Sequence, residues 1–279
     1  RAGIKNPARY LLAAFGTPSQ DGANITLTLA YNIQSMAESL LEKAEPSLHI
    51  EGGTIIVMEP SSGKILALAS RPTFDPNEYW KMEDIAVFQN PAIQKMYEPG
   101  SIFKPITMGS ALDAKVVTPE TTYVDNGTVK IGGSTITNYD HRVWGKQTMT
   151  EVLEFSINTG IVFAERALGH EKFLEYLEKF GMFEPTNIEL AGEVFSKNTE
   201  FKKGYEVNFS TAAFGQGIEM TPLQILKAFS AFANDGLLVN PRIIEGNQNK
   251  KSERQIINPH TASQITSMLT SVVQTGYAK

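Results

Sequence analysis

The sequence contains no cysteine, which removes disulfide bridges and thiolate metal sites from consideration. Its histidines, His49, His141, His170 and His260, are scattered, and none has another histidine three or four residues away, so no metal site is expected. No apolar run approaches the roughly 18 residues that read as a membrane-spanning helix, and the first residues do not have the pattern of a secretion signal. Positive charge is not in excess either. The 279 residues carry a net charge of −5, which argues against a nucleic-acid partner and its basic stripe. Internal repeats and low-complexity tracts are lacking. The chain opens on Arg1 rather than methionine. It is therefore expected to be a fragment, so that a missing anchor says nothing about the parent protein.

What is present is an ordinary globular balance, 42% apolar and 20% charged residues, in a chain long enough for one large domain or two modest ones. Residues 1–22 end in a turn-rich polar stretch, Gly16 to Gly22, that reads as a linker. From Asn24 to Ala30, Ile25, Leu27 and Leu29 alternate with polar residues, the pattern of a half-buried strand. A helix with Ile33, Met36, Leu40 and Leu41 on one face follows. Two apolar runs, Thr54–Met58 and Lys64–Ala69, flank the turn Glu59-Pro60-Ser61-Ser62-Gly63 and predict a hairpin buried on both faces. The pattern turns helical after Pro99-Gly100, through Ala114. Val129–Ile131 and Thr135–Thr137, joined by Gly132-Gly133, predict a small hairpin. Beyond it the chain is mostly helical, with capping boxes at Thr148-x-x-Glu151 and Thr221-Pro222-Leu223-Gln224 and a further start at Asn258-Pro259. The class is mixed, a sheet seeded early and a helical body after it.

The chemistry concentrates at Glu98-Pro99-Gly100-Ser101-Ile102-Phe103-Lys104-Pro105. A turn delivers Ser101 to a helix start, and Lys104, three residues on, shares its face. A serine hydroxyl needs a base to become a nucleophile. Lysine can be that base where burial lowers its pKa toward neutrality, and Ile102, Phe103 and Ile106 offer an apolar wall for that. Pro105 breaks the local helical rule, which is tolerated in a first turn. The competing reading makes Ser101 a plain helix cap and Lys104 a solvated cation. Spacing alone does not decide, because Ser61-Ser62-Gly63-Lys64 has the same Ser-x-x-Lys spacing in a turn and reads as structural.

Pro-Gly-Ser-x-x-Lys-Pro after an apolar hairpin resembles the transpeptidase domain of penicillin-binding proteins, whose motifs are Ser-x-x-Lys, Ser-x-Asn and Lys-Thr-Gly. Ser156-Ile157-Asn158 matches the second, although the residues alone also permit a loop hydroxyl at Ser156 and a helix cap at Asn158. Ser196-Lys197-Asn198 reads as structural. Phe214-Gly215-Gln216-Gly217, the Thr221–Gln224 stretch, Glu98, and Leu27-Thr28-Leu29 with Asn32-Ile33-Gln34 resemble the class B, monofunctional branch of cell-division and elongation enzymes. Lys-Thr-Gly is absent, and Thr275-Gly276-Tyr277-Ala278-Lys279 is rejected as its counterpart.

The resemblance implies an α+β fold of the penicillin-binding-protein/β-lactamase type, an antiparallel sheet flanked by helices plus a helical subdomain, C-terminally incomplete. Residues 1–22 would end a non-catalytic region, and 23–279 would be a transpeptidase domain lacking its last strands and helix. Ser101 would be the acylated nucleophile, Lys104 its base, and Ser156 the proton relay. Asn158, Gly215, Gln216 and Gly217 would bind substrate. The implied activity is D,D-transpeptidation of peptidoglycan stem peptides ending in D-Ala-D-Ala, with β-lactams acylating the same serine and no cofactor. The alternatives are a β-lactamase, a D,D-carboxypeptidase, or a non-enzymatic β-lactam sensor or scaffold. The parent would be membrane-anchored, its catalytic domain extracytoplasmic (periplasmic), beside a SEDS-type glycan polymerase. The 279 residues alone are expected to have weak activity or none, and poor stability.

Overall fold

A computed structural model describes residues 22–246 and 253–277, so the predicted linker over residues 1–22 lies almost wholly outside the described residues. Residues 26–30 run extended along the edge of the first hairpin, with Thr28 N–H bonded to Ile243 O, Ala30 N–H to Leu66 O and Glu245 N–H to Thr26 O. The predicted strand here is corrected in two respects. It forms a single bridge, Leu27 to Ile244, rather than a ladder, and its inward side chain is Thr28, while Ile25 and Leu27 are exposed. The inward position faces backbone carbonyls, not apolar side chains. Thr28 Oγ1 donates to Ile65 O at 2.6 Å, a bond that no leucine could make.

Helix α1 (Tyr31–Leu48) buries Ala37 and Leu41, with Ile33 half-buried beside them. Met36 and Leu40, expected on that face, are 67% and 53% exposed. The seam follows an i, i+4, i+8 row, which is narrow because the small residues Ala67 and Ala69 of β2 let the helix sit close. Strands β1 (Gly53–Met58) and β2 (Ile65–Arg71) form the predicted antiparallel hairpin. One face meets α1, and the other turns Ile56 and Leu68 toward Ile93 of α2 (Pro91–Gln94) and Leu223. The expectation of burial on both faces holds only for the inward residues of β2. Every residue of β1 is half-buried, and Thr54 and Ile56 border an open cavity. Among the described residues β1 has no strand partner on its other edge.

The body of the molecule is built round α3 (Lys104–Asp113), whose residues from Lys104 to Leu112 are all buried. It packs against α5 (Asn158–Leu168), α6 (His170–Lys179) and α9 (Pro259–Gln274). A helix covered on all sides belongs at the centre of a core, and Phe103, Ile106, Met108 and Ala111 lie fully buried there. Strands β3 (Thr122–Asp125) and β6 (Gly145–Thr148) pair, and between them β4 (Thr128–Ile131) and β5 (Ser134–Thr137) form the predicted second hairpin. Its two-residue Gly132-Gly133 turn has both φ values positive, as a tight right-twisting turn requires. The signed helix starts are all present: Thr148 and Glu151 close a capping box at α4 (Met149–Glu154), Thr221 and Gln224 another at α8 (Pro222–Ser230), and Asn258 caps α9. The described elements also include α7 (Glu206–Ala212), a short β7–β8 pair, Leu237–Leu238 with Arg254–Gln255, and several one-turn 3-10 helices. Among the described residues no helix is long and apolar enough to cross a membrane.

Candidate active site

Gly100 takes a φ of +62° and turns the chain into a short 3-10 helix, Gly100–Phe103, that runs on into α3. This places Ser101, exposed, at the mouth of the helix, where the first amides have no intrahelical acceptor. Pro105 falls in the first turn, where its missing N–H costs no hydrogen bond. Phe103 and Ile106 are buried as the expected apolar wall, whereas Ile102 is 49% exposed and lines the cavity that Ser101 and Lys104 also border.

Lys104 is 1% exposed. Burial lowers its pKa to about 7, so that near neutrality a large fraction is an uncharged amine. Its Nζ donates to Ser156 O at 2.5 Å and to Ser156 Oγ at 2.9 Å. Lys104 is not hydrogen-bonded to the Ser101 hydroxyl in this structure; the two line one cavity, with Ser156 alongside. Ser156 is in the left-handed region, φ +52°, an uncommon state for a non-glycine residue. That conformation, in the link between α4 and α5, turns both its carbonyl and its hydroxyl toward Lys104.

Asn158 is the first residue of α5, and the cap position belongs to Ile157. The helix-cap alternative for Asn158 is therefore not what the structure contains. Its Nδ2 donates to Thr137 O at 2.9 Å, joining α5 to the end of β5.

Residues 97–100 are zipped to residues 215–220. Tyr97 and Met220 exchange backbone bonds at 3.0 and 3.1 Å, and Gly100 N–H donates to Gly215 O at 3.0 Å. Glu98 Oε1 accepts from Gly217 N–H at 3.0 Å. A Cβ on Gly215, at φ +76°, would lie 2.3 Å from Gly100 O, so this close approach requires glycine. Gly215 and Gly217 thus brace the turn before Ser101, while Gln216 lines the adjoining cavity.

Two cavities meet at Ser101. One, about 700 Å³, is mainly apolar, with Ile56, Leu153, Ile225 and Phe229 in its wall. The other, about 760 Å³, is bordered by Thr135, Thr137, Asn158, Gln216 and the cation of Arg142. Ser101, Ser156 and Tyr277 border both. The arrangement offers an exposed hydroxyl, a buried amine of near-neutral pKa, a second hydroxyl on that amine, and an amide side chain beside a polar cleft. Those are the parts needed for acyl transfer through serine.

The two decoys are structural, as expected. Lys64 is held by Glu245 at 2.7 Å, and Asn198 pins Glu219 through bonds of 2.8 and 3.1 Å. Sequence reasoning did not find Asp125, Asn138 or Arg142. Asp125-Asn126-Gly127 carries a turn signature, but nothing local shows that its carboxylate reaches α5.

Residues 53–279 match the model of the penicillin binding protein transpeptidase domain. The chain is 34% identical over 272 residues to stage V sporulation protein D of Bacillus subtilis, covering 93% of this chain and 42% of that protein. It is 30% identical over 249 residues to a peptidoglycan D,D-transpeptidase FtsI homolog of Chlorokybus atmophyticus, covering 85% and 36%. The chain thus spans about two fifths of these relatives' length. Among solved structures, a putative peptidoglycan glycosyltransferase from Atopobium parvulum superposes with a TM-score of 0.84 at 30% identity, covering 93% of this chain and 62% of that one. Penicillin binding protein 3 of Mycobacterium tuberculosis, complexed with aztreonam, superposes with a TM-score of 0.83 at 27% identity, covering 92% and 59%.

Proposed function

The chain belongs to the penicillin-binding protein transpeptidase family, and on that premise we propose that it carries the acylating half of a class B peptidoglycan D,D-transpeptidase. The observation that carries the reading is Lys104, buried, near-neutral in pKa and bonded to Ser156 beside the exposed Ser101. In its uncharged form Lys104 takes the proton of Ser101 Oγ as that oxygen attacks the penultimate D-alanine carbonyl of a stem peptide. The Ser101 N–H faces the developing oxyanion. The proton passes from Lys104 through Ser156 to the leaving D-alanine amine, and the C–N bond breaks to leave an ester on Ser101. A neighbouring stem's amine then attacks the ester, returns its proton by the same route and forms the cross-link. Asn158 orients the stem's amide, and the Gly215–Gly217 loop forms the cleft floor. β-Lactams acylate Ser101 by the same first step.

Residues 23–279 form the transpeptidase domain in this reading, and 1–22 end the region before it. The full protein is held at the membrane with this domain on the extracytoplasmic side, next to a SEDS-type glycan polymerase. The 279 residues contain no Lys-Thr-Gly, and so lack a second oxyanion donor and the lysine and threonine that grip the stem. Alone they acylate slowly or not at all. The test is cross-linking by the full-length protein supplied with lipid-linked peptidoglycan precursor and a glycan polymerase. Dimeric stems that disappear with Ser101→Ala are expected. Release of D-alanine without dimers would instead assign a carboxypeptidase.

A further inference from the structure

One buried carboxylate outside the acyl-transfer residues is tied to both sides of the substrate cleft. Asp125, at the end of β3, is 1% exposed. Its Oδ1 accepts from Gly127 N–H at 2.9 Å and from Thr159 Oγ1 at 2.6 Å. Its Oδ2 accepts from Asn138 Nδ2 at 2.9 Å and from Trp144 N–H at 2.8 Å. The donors come from four segments: its own turn, the end of β5, the loop leading to β6, and the first turn of α5. Burial by itself would raise the Asp125 pKa, but the bonds from Thr159, Trp144, Gly127 and Asn138 outweigh it and hold the group below its ordinary value. The carboxylate is thus ionised and fully bonded at neutral pH. Such charge-assisted bonds are short and geometrically demanding.

Its neighbours matter for the site. Thr159 follows Asn158, and Asn138 follows Thr137, whose carbonyl receives the Asn158 amide. Asn138 Oδ1 also accepts from Thr159 N–H at 3.1 Å, closing a triangle of Asp125, Asn138 and Thr159. One carboxylate therefore fixes both the backbone that carries Asn158 and the carbonyl that holds its side chain.

We propose that Asp125, through Thr159 and Asn138, is the positioning residue that sets Asn158 and the Thr137–Arg142 lip against Ser101 and Ser156, and so governs the rate at which a bound acyl donor is attacked. The inference rests on the transpeptidase reading. It adds a residue to that reading's machinery that makes no contact with the reacting atoms. A loose lip still admits a ligand but presents its carbonyl less often to Ser101, so the loss falls on the acylation step more than on binding.

The test is the saturation kinetics of penicillin acylation in the full-length protein, which separate the first-order acylation constant from the apparent Kd. Asp125→Asn and Thr159→Val are each expected to lower the acylation constant about tenfold or more, with Kd changed less than threefold. Thr159→Ser, which keeps the hydroxyl, restores it. In an Asn158→Ala background Asp125→Asn is expected to cost clearly less than it does in the wild type, because part of its effect acts through that side chain. Wild-type acylation constants in Asp125→Asn and Thr159→Val would overturn the inference, as would a full, multiplicative penalty in the Asn158→Ala background. If Asp125→Asn does not fold, the Thr159→Val and Thr159→Ser pair, with thermal melts as control, decides alone. A wild-type protein that penicillin does not acylate would overturn the transpeptidase reading itself, and the inference with it.

Discussion

At the scale of single residues the proposed chemistry turns on Lys104. Only its uncharged form can accept the Ser101 proton, and burial has brought its pKa to about 7. The acylation rate is therefore expected to rise about tenfold per pH unit up to 7 and then level off. A flat profile between pH 5 and 9 would remove Lys104 as the base. The same shift acts on stability. Between the folded pKa near 7 and the ordinary lysine value of 10.5, the unfolded chain binds more protons at this group, so its contribution makes stability rise with pH across that window. Lys104→Met should flatten that part of the curve in urea unfolding measured from pH 7 to 10. Gly215 is a second single-residue test. Alanine there meets both a positive φ and the Gly100 carbonyl, and should cost about 1–3 kcal/mol, read as a lower melting temperature together with slower acylation. Ser101, Lys104 and their helix start were legible because motif and local pattern coincide. Ser156 was legible as a motif, but its left-handed backbone was not, since no glycine or asparagine marks it.

The elements were read best where they carry their own punctuation. Both capping boxes, the Asn258-Pro259 start and the Gly132-Gly133 turn are local devices, and all occur where the sequence puts them. The errors lie where tertiary context overrides periodicity. Met36 and Leu40 fit a helical stripe, yet the stripe that is buried runs through Ala37, because β2 offers alanines for close packing. Residues 24–30 have a strand's alternation, yet only Thr28 among them is buried, against a hairpin edge, with Leu29 half-buried on the neighbouring apolar cluster. That edge is closed by Gln34, whose Oε1 accepts from Leu68 N–H at 2.8 Å while its Nε2 donates to Leu68 O at 3.1 Å. Gln34 stands in for a strand residue. Gln34→Ala is expected to cost about 1–2 kcal/mol in urea unfolding and to speed hydrogen exchange at Leu68; Leu68 exchange unchanged from wild type would contradict this role. In the 279-residue chain the outer edge of β1, with no strand partner among the described residues, should exchange its outward amides faster than β2 does.

At the scale of the whole molecule, α3 is the organising element. It carries Lys104 at its first residue, and it is enclosed by the helices that bring Ser156 and Asn158 to it. Assembly of the site therefore depends on contacts more than 50 residues apart in sequence, such as Lys104 with Ser156, separated by 52. A motif reading names such partners without showing how they are held. The bracing of Ser101 by the Gly215–Gly217 loop, and of Asn158 by Asp125, emerges only once the chain is folded. In the proposed mechanism Ser101 is the acylated residue. The most direct test is peptide mass mapping of the full-length protein after exposure to penicillin. One adduct is expected, on the peptide containing Ser101, and it is lost in Ser101→Ala. An adduct on another residue, or one that persists in Ser101→Ala, would contradict that assignment.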